Sequence, residues 1–158
     1  AKIHLRDGFE ALAAAGEPYD YILIDCPPAL GLLTLNAFVA ADAVLVPLQC
    51  EYLALEGLSG LVRTIDRIQR AFNPTLAIQG IVLTMFDARN NLSLQVAEDV
   101  RDYFGETVYR TMIPRNVRVS EAPSHGQPVL LYDFRCPGSQ AYIQLAREVL
   151  HREEGVAA

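Results

Sequence analysis

Apolar residues recur at two spacings along this chain, and the alternation between them predicts its elements. Residues 3 to 15 carry a helical pattern that ends near Gly16. The run Tyr21-Ile22-Leu23-Ile24, followed by Asp25 and two prolines, predicts a short buried strand. A helix is expected over 32 to 41, then a second buried strand over Ala43 to Val46, stopped by Pro47. The clearest helix covers 53 to 72. Leu58, Leu61, Val62, Ile65, Ile68 and Phe72 form its apolar stripe, while Arg63, Asp66, Arg67 and Arg70 face elsewhere. A third strand is predicted from Ile78 to Thr84. Residues 91 to 104 read as an amphipathic helix through Leu92, Val96, Val100 and Tyr103, stopped by Gly105. Val108 to Ile113 reads as a fourth strand ended by Pro114. Residues 116 to 136 read as loop with one helical turn. A last helix, 139 to 151, is expected to bury Tyr142, Ile143, Ala146 and Leu150.

Short apolar strands joined by helices predict an α/β fold, a parallel sheet with helices on both faces, in one domain over 1 to 158. In such sheets ligands sit beyond the carboxyl ends of the strands. Here those ends are Asp25-Cys26-Pro27-Pro28, Pro47-Leu48-Gln49, Thr84-Met85-Phe86-Asp87 and Pro114-Arg115-Asn116.

Composition narrows the classes. A formal net charge of -6 argues against a surface coated in basic charge but allows a local basic patch. Of 13 basic residues only Lys2 is lysine, so cationic chemistry rests on guanidinium groups. Cys26, Cys50 and Cys136 have no metal-ligand spacing and read as free, buried or half-buried thiols. No apolar run nears the roughly 20 residues of a membrane span, and the N-terminus shows no signal-peptide pattern. The first residue is not methionine, which suggests a chain that begins inside a longer protein.

Asp25 is the first chemical candidate. A carboxylate at the end of an apolar strand can hold magnesium beside nucleotide phosphates. It can equally cap the following helix. His4 and His125 stand alone, without a second ligand at suitable spacing, and His125-Gly126 is expected to shape a turn.

The segment from Tyr19 through Ile24-Asp25-Cys26-Pro27-Pro28 to Thr34 closely resembles the magnesium-site segment of the ParA/Soj partition ATPases. The resemblance continues through Val46-Pro47-Leu48-Gln49-Cys50-Glu51-Tyr52-Leu53-Ala54-Leu55-Glu56-Gly57 and Leu83-Thr84-Met85-Phe86-Asp87-Ala88-Arg89. It runs on through Ile113-Pro114-Arg115-Asn116-Val117-Arg118 to Gly126. The motifs keep the family's order over nearly the whole chain. MinD and other relatives share the plan but lack the Arg-Asn-x-Arg and Glu-Tyr-x-Ala-Leu-Glu-Gly wording.

The resemblance implies a P-loop NTPase fold of the ParA/MinD type. It implies ATP and Mg2+ as ligands, a homodimer formed on ATP, non-specific DNA binding and a ParB-like stimulating partner. It places the protein in the cytoplasm, on the nucleoid, with no membrane contact. It assigns Asp25 to the metal, and Thr84, Met85, Pro114, Arg115 and Asn116 to the adenine. Arg89 and Arg118 fall at the family's DNA-contacting arginines, with Arg115 and Arg110 as weaker candidates. The alternative for Arg89 and Arg118 is a surface pair with an acid such as Asp87 or Glu121. Gln49, Glu51, Tyr52 and Glu56 fall near the family's nucleotide and dimer face, and helix capping explains Glu51 and Glu56 equally well.

One departure is large. No G-x-x-x-x-G-K-[ST] loop occurs in the chain, and the family's catalytic aspartate segment is absent. The expectation is a C-terminal portion of one ATPase domain that on its own binds ATP weakly and does not hydrolyse it. Two other readings stay open: a non-enzymatic DNA- or partner-binding module, and a MinD-like relative. The second would need a basic amphipathic C-terminal helix, which Arg152-Glu153-Glu154-Gly155 does not supply.

Overall fold

A computed structural model describes residues 4–16, 19–27 and 31–156. Seven α-helices and three strands are found among them: α1 (His4–Ala14), α2 (Leu32–Ala40), β1 (Ala43–Gln49), α3 (Ala54–Ala71), β2 (Ala77–Phe86), α4 (Asn91–Phe104), β3 (Val108–Pro114), α5 (Val117–Glu121), α6 (Val129–Tyr132) and α7 (Pro137–Val156). The strands form one sheet in the order β1-β2-β3, with β2 and β3 parallel. Gly80, Ile81, Val82 and Leu83 are buried in succession, so both faces of β2 are covered there. The parallel α/β fold expected from the sequence is the fold observed.

The chain divides into two compact units, each with its own apolar cluster. The first comprises Ala1–Val44 and Ser59–Gln79, the second Leu45–Leu58 and Gly80–Ala158. In the first, Phe38 and Val39 of α2 pack with Ile65 and Ile68 of α3 and with Leu76. Asn73 organises the turn after α3. Its amide donates to the carbonyls of Phe38, Val39 and Ala41, which belong to the end of α2. In the second unit Val82, Tyr109, Ile113, Ala141 and Leu145 form the core, with α7 laid against β3. The Arg152 guanidinium covers the Tyr109 ring at 4.0 Å from its centroid.

The structure corrects several sequence expectations. Residues 21–24 form no strand, and Leu23 is 94% exposed. A strand needs a hydrogen-bonded neighbour, and no described strand pairs with this run. β1 continues through Pro47 to Gln49 and is half-exposed. It is an edge strand among the described residues, where a missing N–H is tolerated. Phe72, Leu92 and Tyr103, expected on buried stripes, are exposed. Phe72 lies beyond the end of α3, and α4 instead buries Ser93, Val96, Ala97 and Val100. The 116–136 stretch is more helical than expected, holding α5, α6 and a 3-10 turn over Ala122–His125. Gly126 ends that turn in the left-handed region, as the His125-Gly126 reading required.

The stripe on α7 is out of phase by one residue: Ala141 and Leu145 are buried, not Tyr142 and Ala146. Among the described residues no helix is long and apolar enough to cross a membrane. Cys50 and Cys136 are buried and Cys26 is half-buried, all as free thiols, and burial pushes the Cys50 thiol up.

Candidate functional site

The second unit brings two of the predicted segments together at the carboxyl ends of neighbouring strands. Phe86 and Pro114 are register partners, and the Arg115 N–H donates to the Phe86 carbonyl at 2.9 Å. On the other side of β2, the Cys50 N–H donates to the Thr84 carbonyl at 3.3 Å. In a regular strand the carbonyls of residues two apart point to the same side. Here Thr84 and Phe86 serve opposite neighbours, so the strand reverses its parity between them.

Met85 makes that reversal. It is the single non-glycine residue with positive φ among the described residues, at 53°, and the register slips between Leu83 and Phe86. A left-handed residue inside a strand end is a bulge that re-aims the backbone. This bulge ties the segments that follow β1 and β3 to the same strand end, one through Thr84 and one through Phe86. Met85→Gly should change stability by less than about 1 kcal/mol, because relief of the left-handed strain offsets glycine's extra chain entropy. Met85→Val should cost about 2 kcal/mol, since β-branching is poorly tolerated at positive φ. Thermal melts of the three proteins decide whether the bulge is needed.

Asn116 begins α5 as its N-cap, its side chain accepting the Arg118 N–H at 2.9 Å. Asn90 does the same for α4. The two arginines singled out from the sequence stand just past these strand ends, and each meets acids. Asp87 Oδ1 accepts both the backbone N–H and the Nε–H of Arg89 at 3.0 Å, and Oδ2 accepts from Nη2 at 2.9 Å. Those Arg89 hydrogen bonds hold the Asp87 carboxyl down at about 2, with the Arg115 charge adding to the effect. Arg118 donates through Nη1 to Glu121 at 2.9 Å, and its Nε lies 3.6 Å from Asp133. The Tyr132 hydroxyl donates to the same Glu121 oxygen at 3.3 Å.

Pairing of these arginines with Asp87 and Glu121 is the alternative that the sequence leaves open, and it is present. Asp133 escapes the sequence reading: it lies far along the chain from Arg118, with no periodic spacing to signal the contact. Of the other candidates, Glu56 sits in the first turn of α3, where its charge suits the helix dipole. The Glu51 carbonyl accepts the Ala54 N–H that opens the helix, while the Tyr52 and Glu51 side chains are exposed.

Asp25 belongs to the other unit and is exposed, on a segment without regular secondary structure. Pro28 lies outside the described residues, as does the His4 side chain. Among the described residues no group of three or more His, Cys, Asp or Glu could enclose a metal ion. A lone carboxylate still fits magnesium chemistry of the kind in which one or two carboxylates act together with bound phosphates.

A family model described as an AAA domain matches residues 3–78. The chromosome partitioning protein ParA of Caulobacter vibrioides is 66% identical over 149 residues, covering 94% of this chain and 55% of that protein. The sporulation initiation inhibitor protein Soj of Bacillus subtilis is 58% identical over 139 residues, covering 88% of this chain and 55% of that protein. This chain belongs to the ParA/Soj family. It spans about half the length of the ParA and Soj relatives it matches. Solved structures agree on the fold. Cobyrinic acid a,c-diamide synthase from Mycobacterium smegmatis, with bound ATP analogue and magnesium, aligns with TM-score 0.71 and 36% identity over 92% of this chain and 52% of that one. The septum site-determining protein MinD from Pyrococcus horikoshii, complexed with Mg-ADP, aligns with TM-score 0.71 and 26% identity over 92% of this chain and 55% of that one. The ParA/Soj resemblance drawn from the strand-end motifs is thus borne out at the level of family and fold.

Proposed function

We propose that the intact protein carrying this chain is an ATP-dependent partition ATPase, which dimerises on ATP, binds DNA without reading its sequence and is stimulated by a ParB-like partner. It would work in the cytoplasm on the nucleoid. The observation that carries the reading is the likeness to chromosome-partitioning proteins over 94% of the chain. The strand-end face supports it: Arg89, Arg115 and Arg118 all belong to the segments after β2 and β3, and guanidinium groups grip phosphates without reading bases.

In this reading Thr84, Met85, Pro114, Arg115 and Asn116 hold the adenine. Bound ATP analogue with magnesium in one relative by fold, and Mg-ADP in another, support ATP and Mg2+ as ligands. Asp25 would be the protein's carboxylate toward the ion, whose charge would offset that of the phosphates.

The test uses the intact protein. Asp25→Ala should lower magnesium-dependent ATP hydrolysis at least about a hundred-fold, because phosphoryl transfer rests on charge placed around the phosphates. Arg89→Ala with Arg118→Ala should weaken binding to unrelated duplex sequences equally, by about ten-fold, and make the salt dependence shallower by about two counterions. Basal hydrolysis without DNA should survive the arginine changes. Unchanged hydrolysis in the first variant would remove Asp25 from the site, and unchanged DNA affinity in the second would remove the arginines.

A further inference from the structure

The two arginines assigned to DNA do not present bare charge. Two guanidinium groups are engaged by three carboxylates: Asp87 on Arg89, and Glu121 with Asp133 on Arg118. The Arg89 side chain is nevertheless 89% exposed, so solvent and ions reach it. We infer that Asp87 and Glu121 are internal competitors for the polyanion, carboxylates that hold each guanidinium and set the strength of DNA binding by having to be displaced or outcompeted. The inference rests on the DNA reading given above.

The geometry gives the competition its form. Asp87 takes the Nε and Nη2 edge of Arg89, an edge that can also grip a phosphate in a two-pronged fashion. A phosphate that takes this edge displaces the carboxylate. A phosphate that takes the other edge approaches a fixed negative charge a few ångströms away. Either way the acid weakens the encounter. Glu121 and Asp133 do the same around Arg118, contacting its Nη1 and Nε. Displaced carboxylates gather counterions from solution, so fewer ions are released overall when DNA binds. A face built this way binds duplex DNA weakly and with a muted salt dependence, which suits a protein that must let go.

Exposed ion pairs of this kind are each worth a small factor, so two removed together should be measurable. Asp87→Asn and Glu121→Gln are the appropriate changes. After Asp87→Asn the amide oxygen at this position can still accept the Arg89 backbone N–H. After Glu121→Gln the side-chain oxygen can still accept from the Tyr132 hydroxyl, so the local turns are retained. Asp133 is left alone because its Oδ1 also accepts the backbone N–H groups of Arg135 and Cys136.

The experiment measures binding of the intact, ATP-loaded protein to duplex DNA of several unrelated sequences across a salt series. The Asp87→Asn/Glu121→Gln variant should bind about five-fold more tightly at low salt, with a slope steeper by about one to two counterions. Melting temperature is read alongside to show that the fold is kept. Affinity and slope equal to the parent's, or weaker binding in the folded variant, would overturn the inference. Weaker binding would mean that the carboxylates orient the arginines for DNA instead of competing with it. The Arg89→Ala/Arg118→Ala protein separates the two failures. Normal DNA binding in that protein sinks the DNA reading itself, and the competition with it. Impaired binding there, with no gain in the acid variant, sinks only the competition.

Discussion

Gly80→Ala should destabilise the fold by about 3 kcal/mol, roughly a hundred-fold in the folding equilibrium. Gly80 lies in β2, and a Cβ built on it falls 2.3 Å from Cε2, 2.8 Å from Cζ and 2.9 Å from Cδ2 of the Tyr109 ring. These are far inside van der Waals contact, so the ring or the strand has to move. The ring has nowhere to go. Tyr109 is 0% exposed, packed among Val82, Ile113, Ala141 and Leu145, with the Arg152 guanidinium over its face. Arg152 is itself held by the carbonyls of Thr107 and Val108. Shifting the ring therefore disturbs both the core and the seat of α7.

A companion variant separates steric from polar causes. The Tyr109 hydroxyl is buried without a hydrogen-bond partner among the described residues. Tyr109→Phe removes a desolvated polar atom and should be neutral, or stabilising by about 1 kcal/mol. Urea unfolding of the three proteins measures both effects. A loss below about 1 kcal/mol in Gly80→Ala would mean that the ring is not locked in place.

Asn73→Asp should be at least as damaging, and worse than Asn73→Ala. Asn73 is 1% exposed, and its amide serves the Phe38, Val39 and Ala41 carbonyls at 3.0, 3.3 and 2.8 Å. The last carbonyls of a helix have no partner within it, so a donor from elsewhere must satisfy them. Alanine leaves these acceptors buried and unpaired at a cost of about 2 to 3 kcal/mol. Aspartate has no donor in its ionised form and brings a negative charge to the negative end of the α2 dipole. Its cost should exceed that of alanine by about 1 kcal/mol or more, and should shrink at acid pH once the carboxyl is protonated. The same unfolding assay, repeated at two pH values, checks the order. Equal losses for the two variants would remove the dipole and desolvation argument.

The helical stripe of α3, the strand at β2 and the stop at Gly105 are all legible in the sequence, because backbone sterics and side-chain periodicity are local properties. The strand-end motifs are legible too, since a parallel α/β fold places polar chemistry at the carboxyl ends of its strands. Pairing of Arg89 with Asp87 and of Arg118 with Glu121 is within reach because the partners lie two and three residues apart.

Everything that depends on a distant neighbour is decided by the tertiary structure. Residues 21–24 have strand-like composition, yet a strand exists only where another strand satisfies its N–H and C=O groups, and none among the described residues does so. The period of α7 can be read, but its phase cannot: Ala141 and Leu145, not Tyr142, join the cluster with Tyr109 and Ile113 of β3, a strand far along the chain. Nothing local marks Asn73 as the cap of α2, whose Phe38 carbonyl lies 35 residues earlier, or Asp133 as a partner of Arg118. Met85 carries no sign of its left-handed backbone either, since methionine gains nothing from it. That conformation is imposed from outside, by strand-end hydrogen bonds to Cys50 on one side and Arg115 on the other.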